Sequence, residues 1–341
     1  MAHPLNQSRL YKVKSLRQLA EILQVSPKTL RSLIRNKENY ILFTTSTGRD
    51  VQWPKPALRR GHKRAAELLA RIETPDFLHS AKRGRSYLSN AEPHVIGQPT
   101  VKLDIRKFFQ SISEKAVSHF FREKMGCEPD VAAVLRKLLT VDGHLPAGGN
   151  ASPILSYFAY ADMFAELEDL ARRRDCVMTC LMDDVTFTGP RATRELIYEA
   201  RRIVGRHRLR IHKTKVFTAS QPKVITGVAV TKSGRRVPNK RKAAIAEDFR
   251  LLRATKSADA RLTVLRRLVG RIYEAAQLEP VWRLRVAPFA LELRKMERLL
   301  RGEGRVSVGG GVAGLEKRQA PRPEQPSGLR VRAASGERVA P

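Results

Sequence analysis

Apolar residues recur at helical spacing near the start of the chain. The positions on this face are Leu16, Leu19, Ala20 and Leu23. Ser26-Pro27 then provides a helix cap followed by proline at the first helical position. Residues 15–35 therefore predict two short helices. The pattern is similar to a helix-turn-helix, although two amphipathic helices that pack on each other are the commoner explanation.

Alternating apolar and polar positions mark the predicted strands, and segments of helical periodicity separate them. Strands are predicted in 99–105, in VFTAS and KVITGVAVT, in a hairpin at 40–53, and in two runs joined at Asp183-Asp184 within 176–189. Helices are predicted at about 56–73, 113–125, 152–174 and 191–208, and over most of 240–301. This alternation predicts an α+β fold. Residues 302–341 are rich in glycine and proline and are predicted to be disordered.

Composition excludes several classes of protein. The chain contains no apolar run of the roughly 18–20 residues needed to cross a bilayer, so no membrane partner is expected. The N-terminus lacks the apolar core of a secretion signal, and three cysteines cannot build a disulfide framework. We therefore expect a cytoplasmic protein in a reducing compartment.

Positive charge dominates the composition. Across 341 residues, 65 lysines and arginines stand against 33 aspartates and glutamates, which gives a net charge of +32. The excess recurs in RSLIRNK, LRRGHKR, ARRRD, EARRIVGRHRLRIHKTK, KSGRRVPNKRK and LTVLRRLVGR. One such run is usually a solvated helix face, whereas many runs with few acids to neutralise them indicate a long surface that follows phosphates. Nucleic acid is the expected substrate or partner.

Acidic residues end two of the predicted strands. Asp183 and Asp184 join two β-rich runs, and Asp104 ends the run VKLDI, shortly before an aromatic pair. Taken alone, Asp183-Asp184 is more often a turn exposed to water. If the acids of both strands converge, they would form an oxygen-ligand site for two Mg²⁺ ions, which clamp the oxygens of a phosphoryl transfer.

Five motifs occur in an order that resembles the reverse transcriptases. LDIRKFF (103–109), LPAGGNASPILSYF (145–158) and LMDDVTFTG (181–189) are similar to the palm motifs of that class. Asn90-Ala91-Glu92-Pro93-His94 resembles the NAxxH box of the bacterial retron type, and Ile225-Thr226-Gly227 resembles its VTG box. The chain is thereby identified as similar to the retron-type reverse transcriptases, which are RNA-directed DNA polymerases.

This resemblance covers roughly residues 10–300 and implies a right-hand polymerase fold with fingers, a palm of antiparallel sheet plus helices, and a helical thumb. The implied divisions are an N-terminal helical segment 1–35, fingers 36–100, palm 101–235 with a finger insertion at about 115–150, thumb 236–301, and a disordered tail 302–341.

The resemblance also implies the catalytic residues. Asp104, Asp183 and Asp184 are expected to be the catalytic carboxylates, with the first two bridging two Mg²⁺ ions and Asp184 supporting the site beside the primer end. Phe109 stands where the family has an aromatic ring that excludes a ribose 2′-hydroxyl, although a packed core ring is the alternative.

Further nucleotide-binding positions follow from the same resemblance: Arg49, Pro146, Gly148, and Lys213 or Lys215. Which of the two lysines faces the nucleotide stays open, since a solvated lysine at a strand edge is equally typical. Two positions depart from the family, which often has glutamine where this chain has Ala147 and tyrosine where it has Leu181. In the family these two residues take part in placing the primer and the nucleotide. The three acids Asp104, Asp183 and Asp184 are all present in this chain.

RNA contacts are expected from the two retron boxes and from the thumb. The box residues are Asn90, His94, Thr226 and Gly227, and the thumb residues are Arg266, Arg267 and Arg271 on one basic helix. The thumb arginines would follow phosphates without reading bases. The alternative for Asn90 and His94 is that they only cap a turn.

The implied reaction is template-directed addition of dNTPs on a structured noncoding RNA, which gives an RNA-linked single-stranded DNA. The family implies a role in defence against phage, often with a separate effector protein. A group II intron reverse transcriptase is the rival enzyme, and it would be expected to add a maturase or endonuclease region after the thumb. A non-catalytic RNA-binding protein on a polymerase scaffold is the rival from another class.

Overall fold

The computed structural model describes residues 2–36 and 38–300, and these residues divide into two compact units, 2–221 and 222–300. The first unit begins with the predicted helix pair, α1 (Leu16–Leu23) and α2 (Pro27–Arg35). The Ser26 hydroxyl accepts a hydrogen bond from Thr29 N and caps α2, as the sequence predicts. Both helices pack on α7 (Pro129–Leu139).

The other elements of the first unit follow in chain order. They are β1 (Tyr40–Thr44), β2 (Asp50–Pro54), α3 (Pro56–Leu69), α4 (Tyr87–Ala91), β3 (Thr100–Ile105), α5 (Phe108–Ser111), α6 (Glu114–His119), α7, α8 (Ser152–Ala159), α9 (Ala161–Arg173), β4 (Val177–Leu181), β5 (Asp184–Thr188), α10 (Arg194–Arg206) and β6 (Ile211–Phe217). A π-helical segment, Phe120–Lys124, continues α6. The β1–β2 hairpin is antiparallel, as predicted.

A four-stranded sheet in the order β4-β5-β3-β6 organises this unit, and every neighbouring pair is antiparallel. Alternate residues of β3 and β5 enter the core, because side chains in a strand point to opposite faces. The core-facing residues are Val101, Leu103, Ile105, Val185 and Phe187, none of them more than 2% exposed. The opposite face carries Thr100, Lys102 and Asp104 and is the polar face of the sheet.

The second unit combines a small antiparallel sheet with long helices. Its elements are β7 (Lys223–Ile225), β8 (Val228–Thr231), β9 (Gly234–Arg236), α11 (Asn239–Ala254), α12 (Ala258–Ala276) and α13 (Val281–Leu300). Its core is separate from that of the first unit and includes Leu265, Leu268 and Ile272, all fully buried. The two units together confirm the predicted α+β fold.

Some predicted elements differ in their details. The helix predicted at 152–174 is interrupted at Tyr160, whose backbone leaves helical geometry at φ −129°, so that α8 and α9 are separate. The strand predicted over KVITGVAVT is a hairpin that turns at Thr226-Gly227. Helix α7, which begins with proline at its first position, was not predicted. The predicted disordered tail 302–341 lies outside the described residues.

No helix in the described part of the chain has both the length and the apolar character needed to cross a membrane.

Candidate active site

The sheet places two of the predicted catalytic acids side by side. Asp104 on β3 is the register partner of Asp184 on β5, and directly opposed residues of antiparallel strands have Cβ atoms about 4.5–5.5 Å apart. Asp183 lies in the turn between β4 and β5, and its carbonyl accepts a hydrogen bond from Ile105 N at 3.1 Å. Asp104 and the adjacent pair Asp183-Asp184, about 80 residues later in the chain, therefore gather at one end of the sheet.

The turn that carries Asp183 is strained. Met182 has φ +58°, the left-handed region that non-glycine residues rarely adopt. Partial burial raises the pKa of the Asp183 carboxyl, and the charges of Asp104 and Asp184 raise it further, while the charge of Arg49 opposes the rise. Like charges and a strained backbone in one turn oppose folding stability, so this local arrangement is typical of a functional site.

Lys102 is a site residue that sequence reasoning missed. Its Nζ lies 2.8 Å from Asp184 Oδ2, and both side chains are more than two-thirds buried. The signal was present in the run VKLDI, since Lys102 and Asp104 alternate along β3 and share its polar face. Lys102 therefore offsets part of the negative charge of the three acids.

The carboxylates fit a hard divalent cation in chemistry. The Oδ1 atom of Asp184 is buried without a hydrogen-bond partner, and carboxylate oxygens are the ligands that Mg²⁺ prefers. Among the described residues, however, no group of three or more His, Cys, Asp or Glu side chains is already arranged to hold a metal ion. Carboxylate oxygens that could bind a metal ion are thus present, and one oxygen of Asp184 is in contact with Lys102.

The register of β6 distinguishes the two candidate lysines. Lys213 is the partner of Asp104, so it extends the row of acids, whereas Lys215 is the partner of Lys102 in the next row. Both are exposed on the same face of the sheet. Of the two, Lys213 is nearer to the carboxylates, and its contact with a nucleotide stays a prediction.

Phe109 is half-buried in α5, directly after β3. Its ring centroid lies 5.7 Å from that of buried Phe108, which in turn meets Phe164 edge-on. Lys107, with φ +44°, starts this helix in the left-handed region and redirects the chain after Asp104. Phe108 thus anchors in the core, while Phe109 packs against the core and remains partly accessible, so its role as a sugar gate stays a prediction.

The loop of residues 145–150, here called the glycine loop, lies against the β1–β2 hairpin. A Cβ at Gly148 would lie 2.8 Å from Gln52 O, and a Cβ at Gly149 would lie 2.7 Å from Pro146 Cγ. Both glycines are therefore required by close contacts within this unit. Arg49 is exposed at the end of the hairpin turn, and its charge acts on Asp183.

The NAxxH box is buried in this unit. His94 and Asn90 are both 0% exposed. His94 Nδ1 lies 2.9 Å from Thr188 Oγ1, and its Nε2 lies 2.7 Å from Thr179 Oγ1. These contacts join the box to the polar face of the sheet, so a direct contact of His94 with RNA would require this region to open.

The VTG-like box forms the turn between β7 and β8 in the second unit. Thr226 has φ +44° and Gly227 has φ +88°, which are values of a two-residue hairpin turn. A Cβ at Gly227 would also lie 2.9 Å from an Arg241 nitrogen. The local backbone geometry therefore explains why position 227 is a glycine. RNA binding at Thr226 and Gly227 stays a prediction.

The three predicted thumb arginines form ion pairs within the second unit. Arg266 Nε lies 2.9 Å from Glu297. Arg267 and Arg271 lie 2.7 and 2.6 Å from the two carboxylate oxygens of Asp248, which is 1% exposed. Their charges are thus largely matched by acids, although each side chain remains partly accessible to a phosphate.

An antiparallel sheet with opposed carboxylates at its end, the neighbouring Lys102 and the hairpin residue Arg49 define a candidate metal-dependent nucleotidyl-transfer site. No protein-family model matches the chain.

Curated retron reverse transcriptases are similar to this chain. It is 28% identical over 215 residues to the retron Se72 reverse transcriptase of Salmonella heidelberg (strain 579083-10), across 60% of this chain and 57% of that protein. It is 29% identical over 212 residues to the retron Ec48 reverse transcriptase of Escherichia coli, across 58% and 51%. It is 25% identical over 271 residues to the retron Mx162 reverse transcriptase of Myxococcus xanthus, across 67% and 56%.

The chain spans about half the length of the curated relatives it matches. The predicted resemblance is confirmed: the chain is similar to curated retron reverse transcriptases.

Proposed function

We propose that the chain is a retron-type reverse transcriptase that adds dNTPs on a structured noncoding RNA template. The observation that carries this proposal is the row of opposed acids, Asp104 and Asp184, with Asp183 in the adjoining turn. The similarity to reverse transcriptases of the retron type supports it. A net charge of +32 suits a protein that holds nucleic acid.

Asp104 and Asp183 would hold two Mg²⁺ ions with Asp184 beside them. When bound, such ions activate the attacking hydroxyl and neutralise the leaving pyrophosphate. Lys102 fixes the orientation of the Asp184 carboxylate through its contact at 2.8 Å. Arg49 and Lys213 supply positive charge for the triphosphate, and Phe109 lies under the sugar, where it excludes a 2′-hydroxyl.

In this proposal the chain has the right-hand arrangement of a polymerase, with the four-stranded sheet as palm, the β1–β2 hairpin in the fingers and α11–α13 as thumb. The product is a branched, RNA-linked single-stranded DNA. The working context is the cytoplasm, in defence against phage together with an effector protein.

The experiment uses the full chain, dNTPs, Mg²⁺ and an RNA transcribed from inverted repeats beside the gene. We expect DNA that remains joined to the RNA and is released by a debranching enzyme. DNA that extends only from an annealed 3′ end would favour the group II intron type of enzyme. RNA binding without any dNTP incorporation would favour a non-catalytic RNA-binding protein and contradict the proposal.

A further inference from the structure

The side chain of Gln52 joins the β1–β2 hairpin to the glycine loop by a hydrogen bond. Gln52, on β2, accepts this bond at Oε1 from the backbone N–H of Ala147, at 3.1 Å. Gln52 is half-buried. The bond spans 95 positions of sequence, so it fixes two segments that would otherwise meet only through packing.

The backbones of the two segments touch at the next residue. A Cβ at Gly148 would lie 2.8 Å from Gln52 O and 3.0 Å from Val51 Cγ1. Such distances leave no room for any side chain. The glycine loop and strand β2 are therefore in contact at two adjacent loop residues, by a hydrogen bond at Ala147 and by a close backbone approach at Gly148. Together these two contacts fix the position of the hairpin on the loop.

The same hairpin carries Arg49, a cation whose charge acts on one of the three acids. Arg49 lies three residues before Gln52, about 10 Å along an extended strand, and its positive charge acts on Asp183. The hydrogen bond between Thr44 Oγ1 and Asp50, at 2.7 Å, also lies in this hairpin, but it stays within the hairpin and does not reach the loop.

We propose that Gln52 is a positioning residue for nucleotide addition. Its carboxamide holds the β1–β2 hairpin on the glycine loop and thereby keeps the hairpin residue Arg49 in place. Ala147 stands where the family often has glutamine, and Gln52 places a carboxamide beside this position from a different segment. The inference rests on the proposed function and adds to it the residue that fixes the hairpin.

The test compares Gln52→Leu with Thr44→Val in the full chain. Leucine has a similar size but accepts no hydrogen bond, so the KM for dNTP should rise about tenfold while kcat changes less than about threefold. Thr44→Val removes a hydrogen bond of the same hairpin without touching the loop, and its KM should stay within about twofold of wild type.

Amide hydrogen exchange provides a readout that does not depend on activity. Gln52→Leu should speed exchange at the Ala147 N–H about tenfold, and Thr44→Val should leave it unchanged. Equal KM values for the two variants, or unchanged exchange at Ala147, would overturn the inference. If the wild-type chain incorporates no dNTP, the proposed function fails, and the exchange rates alone still decide whether Gln52 fixes the loop.

Discussion

At one end of the four-stranded sheet the polar side chains are buried and bonded to one another, and at the other end acidic side chains are only partly buried and repel one another. Thr179 and Thr188, each 2% exposed, both bond His94, and Thr188 also bonds Thr100 at 2.7 Å. A few residues along the same strands, Asp104 and Asp184 stand directly opposite each other.

The two ends serve different purposes. Buried hydroxyls that find partners add to stability, because leaving them unbonded would be costly. Like charges placed across from each other reduce stability, and Lys102, within hydrogen-bond distance of Asp184, offsets part of this repulsion. The end with Thr179 and Thr188 therefore stabilises the sheet, and the end with Asp104 and Asp184 concentrates negative charge that attracts cations.

The largest expected effect is at the acidic end. Asp104→Asn should lower Mg²⁺-dependent dNTP incorporation by about a thousandfold, because a metal ligand is lost. It should also leave the free energy of unfolding unchanged or raise it by up to about 1 kcal/mol, since a like-charge pair is removed. Steady-state kinetics and urea unfolding measure the two quantities. A large loss of stability would contradict the contrast between the two ends.

Asp248 provides a buried carboxylate whose charge is fully matched, and thus a useful contrast to Asp184. Arg267→Gln with Arg271→Gln should lower the free energy of unfolding by about 3–5 kcal/mol, because Asp248 would remain buried without its cations. Arg250→Gln is the matched control, since its partner Glu247 is exposed, and it should change unfolding little.

RNA binding by the same arginine variants tests the predicted thumb surface. If the arginines mainly hold Asp248, RNA affinity measured below the unfolding transition should fall little. A uniform loss of affinity for all RNAs with a flatter salt dependence, at unchanged stability, would instead show that these arginines contact phosphates.

His94 tests the threonine end. His94→Ala should lower the free energy of unfolding by about 3 kcal/mol, since it leaves a cavity and removes partners of Thr179 and Thr188. Exposed His119→Ala is the control and should have little effect. DNA synthesis on cognate and noncognate templates should fall equally. A selective loss on the cognate RNA at unchanged stability would support recognition by His94.

The smallest effect concerns Phe109. Phe109→Val should raise the efficiency of NTP relative to dNTP incorporation about tenfold, because the space under the sugar becomes larger. Competition between matched NTP and dNTP substrates measures this ratio. An unchanged ratio together with reduced thermal stability would identify Phe109 as a core residue.

Local pattern was sufficient to predict most elements. Helical periodicity and the Ser26-Pro27 cap predict α1 and α2, and alternation in VKLDI predicts β3. The break at Tyr160 was not predictable, since both flanking segments have helical patterns and only the local backbone geometry separates them. The turn at Thr226-Gly227 divides a run that reads as one strand.

Pairings between distant segments required the structure. The motifs named Asp104 and Asp184, but only the strand register places them opposite each other and puts Lys213 in their row. The burial of His94 depends on threonines 85 and 94 positions away in sequence. Likewise, Asp248, which binds both Arg267 and Arg271, comes from another helix. The sequence pattern around the arginines therefore could not show that this acid competes with phosphates for them.

The measurement that tests the central claim most directly is primer extension on an RNA template by the wild-type chain and by the Asp183→Asn, Asp184→Asn double variant. With Mg²⁺ and dNTPs, we expect extension by the wild-type chain and a loss of about a thousandfold or more in the variant, at unchanged RNA affinity. Residual synthesis within about tenfold of wild type would contradict the assignment of these carboxylates to the metal site.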